Sequence, residues 1–251
     1  VVGTAKLIVK EAGIIAGIRI AKEVFLHLDK EAVFTAFHTD GEYLEVGTIA
    51  FTVKAKAQAI LQAERLVLNT MQRMSGIATL THSYVEKIKN YTTTILDTRK
   101  TTPLFRAFEK EAVLLGGAKN HRMGLYDMIM LKDNHIDYCG GIEKAIAAAN
   151  NYLKEQQLQL PIEVETRSLD DVKRVVKVGG VQRIMLDNFT PQEIEAALVL
   201  INKQFETEAS GGINFDTIES YAATGVDFIS VGAVIHHATS LDLSLKAVLH
   251  E

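Results

Sequence analysis

The second half of the chain repeats a pattern without repeating its residues. The apolar runs in LPIEVET, VQRIMLDN, ETEASGG and VDFISVGA close on Glu165, Asp187, Ser210 and Gly232, spaced by 22, 23 and 22 residues. Each interval holds one short strand, one helix of about three turns and two brief connections. Helix starts are legible between them: Ser168 precedes Asp171, and Thr190-Pro191 precedes Glu193, both capping signatures. With the earlier runs TTTILD and YDMIMLKDN, this alternation predicts a parallel sheet crossed by helices. The rhythm is that of a small (β/α) barrel, with an open doubly wound sheet as the alternative. In a parallel barrel the C-terminal strand ends open on one face, where active sites form. Every one of these strands ends in a chemically useful residue, so residues distant in sequence are expected to converge.

The first part of the chain has a different texture. TAKLIVK, EAVFTAF and YLEVGTIAFTVKA read as strands, GIRIAKEVFLHL as a helix, and TDGE as a turn that pairs the strands on either side of it. A long helical period then runs through AQAILQAERLVLNTMQRMSGIATLTHSYVEKIK, with a break expected near Ser75-Gly76; its stripe of Ile60, Leu61, Leu66, Leu68, Met71 and Met74 is helix packing. With 47% hydrophobic and 23% charged residues, the composition excludes a disordered chain. One cysteine, Cys139, excludes an intrachain disulfide and suits a reducing compartment. A net charge of −4 leaves no basic nucleic-acid footprint, so a cationic site must be local. No apolar run approaches the ~20 residues of a membrane span, and VVGTAKLIVKEAG lacks the layout of a secretory signal. The expectation is a cytoplasmic protein that binds neither membrane nor nucleic acid.

The strand ends supply the candidate site. After TTTIL come Asp97, Thr98, Arg99, Lys100, Thr101 and Thr102, with a planar fork for a carboxylate, a point charge for a phosphate and neutral hydroxyl donors. His121 and Arg122 follow a Gly116-Gly117 helix stop; they lie at the barrel's far end unless their loop folds back across the mouth. Lys132, behind the apolar MIML, would be desolvated if it points inward. It reads either as a phosphate ligand or as a Schiff-base nucleophile, with Asp133, Asn134 and His135 ordering the loop. Glu165 and Asp187 end successive strands; two carboxylates with substrate phosphates are a common Mg²⁺ arrangement, and acid–base work or an ion pair with Lys132 or Lys100 is the alternative. Ser210-Gly211-Gly212 and the turn at Gly232 let backbone approach a phosphate, with helix N-termini expected behind them. His236 touches the same phosphate or belongs to a surface pair with His237.

These motifs resemble a known family. LDTRKTTPLFRAFEK, GGAKNHRMGLYDMIMLKDNHI, EVET, IMLDNF, EASGGI and DFISVGA together are similar to the quinolinate phosphoribosyltransferases, over essentially the whole chain. The resemblance implies an α/β subunit with an N-terminal α+β sandwich domain, residues 1–74 joined by the tail 239–251, and an incomplete (β/α) barrel over residues 75–238. It implies transfer of phosphoribosyl from phosphoribosyl pyrophosphate to quinolinate with Mg²⁺, giving nicotinate mononucleotide, pyrophosphate and CO₂ in NAD biosynthesis. By motif, Arg99, His121 and Arg122 match the quinolinate ligands, and Lys100 and Lys132 lie near both substrates. Glu165 and Asp187 match the ribose and metal carboxylates; Ser210, Gly212, Gly232 and His236 match the phosphate end. Arg65 matches an arginine lent to a neighbouring subunit, which makes a homodimer, or an oligomer of dimers, necessary.

Two departures accompany the match. A further N-terminal segment with an acidic, Gly-Asp-Thr-like motif is expected ahead of VGTAKLIVKEAGIIAG, and Leu104 stands where glycine is expected. Three rivals remain: a sister transferase using nicotinate, an aldolase-like barrel working through Lys132, and a non-catalytic nucleotide-binding dimer.

Overall fold

The computed structural model describes residues 1–248. In chain order its elements are β1 Val2–Val9, β2 Gly13–Ile14, α1 Ile18–Leu28, β3 Val33–Ala36, β4 Tyr43–Leu44, β5 Ile49–Lys56, α2 Ala57–Lys87, β6 Thr94–Leu96, α3 Arg106–Leu115, β7 Ile129–Leu131, α4 Asp133–Cys139, α5 Ile142–Glu155, β8 Ile162–Thr166, α6 Leu169–Val178, β9 Arg183–Asp187, α7 Pro191–Ile201, β10 Glu206–Ser210, α8 Ile218–Ala222, β11 Phe228–Ser230, α9 Ala233–His236 and β12 Leu243–Ala247. They fall into two compact units. One combines residues 1–83, 100–118 and 233 onward, and the other combines residues 84–99 and 119–232. Of the C-terminal stretch 239–251 expected to join the first domain, residues 249–251 lie outside the described residues.

In the first unit, an antiparallel sheet of order β12-β1-β5-β3 buries alternate residues, as a half-exposed strand must. Ala5, Leu7 and Val9 of β1 and Phe51, Val53 and Ala55 of β5 enter one apolar cluster with Phe25 of α1 and Ala63, Val67 and Met71 of α2. The TDGE turn links β3 to β4, but these two do not pair with each other: β3 pairs with β5, and β4 pairs with β2. Asp40 of the turn instead receives the Ile18 and Arg19 amides at 2.7 and 3.2 Å, covering orphan donors at the start of α1.

The expected break at Ser75-Gly76 is absent, because α2 runs unbroken across it. Both residues serve contacts rather than a turn. Ser75 accepts the Ala16 amide at 2.9 Å, and Gly76 lets the Thr239 backbone come so close that a Cβ there would strike its carbonyl oxygen.

In the second unit, six parallel strands lie in the order β6-β11-β10-β9-β8-β7. Chain order runs round the sheet from β7 to β11 and ends beside β6. Among the described residues the two edges β6 and β7 do not pair, which makes the barrel incomplete. Ser168 caps α6 through the Asp171 amide, and Thr190 with Glu193 forms the capping box of α7, both as the sequence predicts.

Candidate functional site

Period-two alternation decides which side chains share a face of the sheet. On β8, Glu163 and Glu165 point the same way, alternating with Ile162, Val164 and Thr166. Strand β9 adds Arg183, Met185 and Asp187, in register with Glu163, Glu165 and, across β10, Ser210. Parallel strands therefore bring Asp187 and Ser210 side by side and set Glu165 on the strand next to Asp187.

His121 and Arg122 lie at the C-terminal strand ends, not the far end. Lys119 makes a parallel bridge to Leu96, so the chain leaves this pairing at the same end as Asp97. Buried Asp97 then accepts the His121 amide at 2.8 Å. Thr98 and Arg99, just beyond, are half-buried. Burial, and next the charge of Arg99, push the Arg122 guanidinium below its ordinary value, so the two arginines feel each other. Among the described residues the buried Nε of Arg99 has no hydrogen-bond partner. A pair of neighbouring, partly buried guanidiniums with an unused donor is a site made for an anion carrying more than one charge.

Lys132 corrects an expectation. Its side chain is 49% exposed and stands 3.5 Å from Glu165, so it is not the desolvated amine that a Schiff-base nucleophile requires. Asp133, Asn134 and His135 form the first turn of α4 rather than an ordering loop, with His135 Nδ1 accepting the Lys132 amide at 3.0 Å. Asp187 accepts from the Asn188 side chain at 2.7 Å, and the Asn188 amide donates to the Ser210 carbonyl at 2.8 Å. Gly211 and Gly212 have φ of 96° and 65°, and a Cβ on Gly211 would strike Asn188, so glycine is required there. The helix expected behind this turn does not follow directly, because α8 begins only at Ile218. Behind Gly232, α9 begins at once.

In the first unit the structure places Arg65, Lys100 and His236. Arg65 is largely exposed on α2 and pairs with its neighbour Glu64 at 3.2 Å. Lys100 and His236 sense each other: burial, the His237 charge and the Lys100 charge, in that order, push the His236 imidazole below its ordinary value.

The sequence reading missed three charged residues inside the barrel. Glu163 and Glu208 are fully buried, and His121 Nε2 lies 2.9 Å from one and 3.4 Å from the other. Arg183 bonds Glu208 at 2.9 Å and stacks on Phe228 at 4.1 Å. Burial and the Glu208 charge push Glu163 up to about 7. Burial acts against the charge on Glu208 too, but His121 and Arg183 outweigh it and hold that carboxyl below its ordinary value. Burial opposes a charge on His121, and the two carboxylates override it, drawing the ring toward about 9. The Arg122 amide works against that second ring proton, because it donates to Nδ1 at 2.7 Å. With Nδ1 turned to that amide, Nε2 is the ring nitrogen that faces the carboxylates, and the ring and the two acids exchange protons as one group. His121, Glu163 and Glu208 are also close enough to surround a cation. As they stand, the two carboxylates face the His121 ring from beneath and support it. The cluster's signal was present in PIEVET and ETEAS, where acids alternate through strands that should be buried.

Residues 1–75 match the N-terminal domain of quinolinate phosphoribosyl transferase, and residues 77–246 match its C-terminal domain. The chain is 44% identical over 256 aligned positions to quinolinate phosphoribosyltransferase [decarboxylating] 1b of Nicotiana tabacum, covering 96% of this chain and 73% of that protein. It is equally similar, with the same coverage, to the chloroplastic nicotinate-nucleotide pyrophosphorylase [carboxylating] of Arabidopsis thaliana, at 44% identity. Among solved structures, NadC from Streptococcus pyogenes superposes with a TM-score of 0.92 at 40% identity, covering 98% of this chain and 85% of that one. The chain belongs to the quinolinate phosphoribosyl transferase family.

Proposed function

We infer that the protein transfers phosphoribosyl from phosphoribosyl pyrophosphate to quinolinate with loss of CO₂, giving nicotinate mononucleotide and pyrophosphate for NAD biosynthesis. The observation that carries this is the family match across both domains, with 44% identity over 96% of the chain to a relative named for that reaction.

The roles proposed for individual residues follow from charge and place. Arg99 and Arg122 take the adjacent carboxylates of quinolinate, with Thr98 as a further donor and His121, whose ring nitrogens face the Arg122 amide and the buried carboxylates, positioning Arg122, and they hold the ring nitrogen against the ribose anomeric carbon. Each charge-assisted bond contributes ~1.5–3 kcal/mol, and correct orientation removes much of the entropic barrier. As pyrophosphate departs, positive charge grows on the ribose, and Glu165 and Asp187 stabilise it. Lys100 and Lys132 balance the charge of both substrates. Ser210, Gly211, Gly212, Gly232 and His236 receive phosphate. Once the nitrogen is ribosylated, the cationic ring itself favours loss of the neighbouring carboxylate.

The hard oxygen donors Glu165 and Asp187 fit Mg²⁺, which would offset the charge of the pyrophosphate. Arg65 is exposed enough to serve a neighbouring subunit, and a homodimer with shared sites is part of the proposal. So are the division at residues 74–75 and a cytoplasmic location.

The role assignment is tested by titrating quinolinate and phosphoribosyl pyrophosphate separately into wild type and Arg99→Ala. The variant loses quinolinate binding and keeps phosphoribosyl pyrophosphate binding; equal loss of both overturns the assignment.

A further inference from the structure

Within the first unit, an ion pair that touches no proposed ligand residue ties together the two segments that carry Lys100 and His236. Glu109 of α3 is fully buried and makes full use of its carboxylate. Its Oε2 accepts the Thr102 amide at 2.8 Å. Its Oε1 accepts the Thr102 hydroxyl at 2.8 Å and two Arg73 donors at 3.0 and 2.9 Å. Arg73, on α2, turns its remaining donors to the carbonyls of Ala238 at 2.8 Å and Ile235 at 2.9 Å, on either side of His236 and His237. Four segments of chain meet in one planar fork and one carboxylate.

The segments so joined carry basic side chains. Thr102 lies two residues from Lys100, and Ile235 and Ala238 bracket the two histidines, whose rings meet edge to face with centroids 4.4 Å apart. Without such a tie, exposed segments sample many separations, and a ligand has to order them as it binds. Holding them together before a ligand arrives means that a polyanion meets an assembled site and does not have to order it. The bonds required are charge-assisted and, at Glu109, shielded from water, so they are strong enough to act as a fixed strut.

We propose that Arg73 and Glu109 are positioning residues that hold the Lys100 and His236 segments in register for the phosphates of phosphoribosyl pyrophosphate. This rests on the reading of Lys100 and His236 as ligands of that substrate. Quinolinate, taken chiefly by the arginines of the second unit, meets the strut only through Lys100 and depends on it less.

The test uses the full chain and the variants Glu109→Gln and Arg73→Lys. Glu109→Gln keeps the size and one acceptor for Thr102 but removes the charge facing Arg73; Arg73→Lys keeps the charge and removes the fork. Calorimetric titration of phosphoribosyl pyrophosphate alone and of quinolinate alone is combined with KM for each. The expected result is an increase of about tenfold in Kd and KM for phosphoribosyl pyrophosphate, with the values for quinolinate changed by less than about twofold. Arg73→Lys gives a smaller increase of the same selectivity, and it carries the comparison if Glu109→Gln does not fold. An equal change for both substrates, or a lower melting temperature with both affinities unchanged, overturns the proposal and leaves the pair a structural strut only. A wild type that binds phosphoribosyl pyrophosphate without turning over quinolinate refutes the proposed function, while the binding ratio still decides the role of the pair.

Discussion

Replacing Arg183 by methionine removes the one cation that faces Glu208 from β9 and leaves the barrel interior with two buried acids. The guanidinium is 11% exposed, bonds fully buried Glu208 at 2.9 Å and reaches Glu206 at 3.0 Å. Methionine fills much of the same volume and retains contact with Phe228, so the change is chiefly one of charge. Removing one partner of a buried ion pair costs about 3–5 kcal/mol, because the other is left uncompensated. At ~2–4 °C per kcal/mol, the melting temperature falls by roughly 6–20 °C. The pH dependence identifies the cause. In wild type the Glu208 carboxyl sits below its ordinary value, so its contribution is present above the unfolded pKa of about 4.3 and is lost as pH falls through the folded value. Without Arg183 only His121 still faces that carboxylate, so the folded value rises and the ionised group contributes less at neutral pH. The gap between wild type and Arg183→Met is therefore widest near pH 8 and narrows toward pH 5. Thermal and urea melts across that range measure it. A gap below about 1 kcal/mol at pH 8 would falsify the ion-pair account, and a gap independent of pH would assign the loss to packing.

Lys132→Met leaves the melting temperature within about 2 °C, since the side chain is half exposed, but lowers kcat/KM by about 10²–10³-fold if the amine faces developing charge; steady-state kinetics beside a melt separates the two. Gly76→Ala pushes a methyl group into the Thr239 backbone and costs about 1–3 kcal/mol, read as a shift in denaturation midpoint; no shift means that the two segments are not in contact. Asp29 accepts the Lys56 and Glu31 amides at 2.9 and 3.2 Å, and the Lys56 bond chiefly holds its carboxyl below the ordinary value. Asp29→Asn is therefore less stable than wild type at pH 7, and the difference shrinks as pH falls below about 3.8; a difference that does not shrink at all on acidification contradicts this.

The barrel was legible because its signals are local and redundant. The 22- or 23-residue interval, the caps at Ser168 and Thr190 and the apolar runs each point to the same βα unit, and the structure carries all of them. The errors fall where a residue answers to a distant partner. Ser75-Gly76 has turn chemistry but serves close approach to Ala16 and Thr239 inside a continuous helix. TDGE has hairpin chemistry but caps α1. MIMLK suggests a buried lysine, yet a strand that ends at Leu131 releases Lys132 to solvent. Within the site, strand-end residues were visible one by one, whereas the layer beneath them was not. Glu163, Arg183 and Glu208 acquire meaning only when parallel register sets them against one another and against His121, which arrives from another part of the chain. Alternation of acids in PIEVET and ETEAS is the trace that such a layer leaves in sequence.

The purified chain is incubated with phosphoribosyl pyrophosphate and Mg²⁺, and with quinolinate or nicotinate in parallel, while mononucleotide and CO₂ are followed together. The account predicts nicotinate mononucleotide and CO₂ in equal amounts from quinolinate, and no product from nicotinate. Turnover of nicotinate alone, or mononucleotide without stoichiometric CO₂, would contradict it.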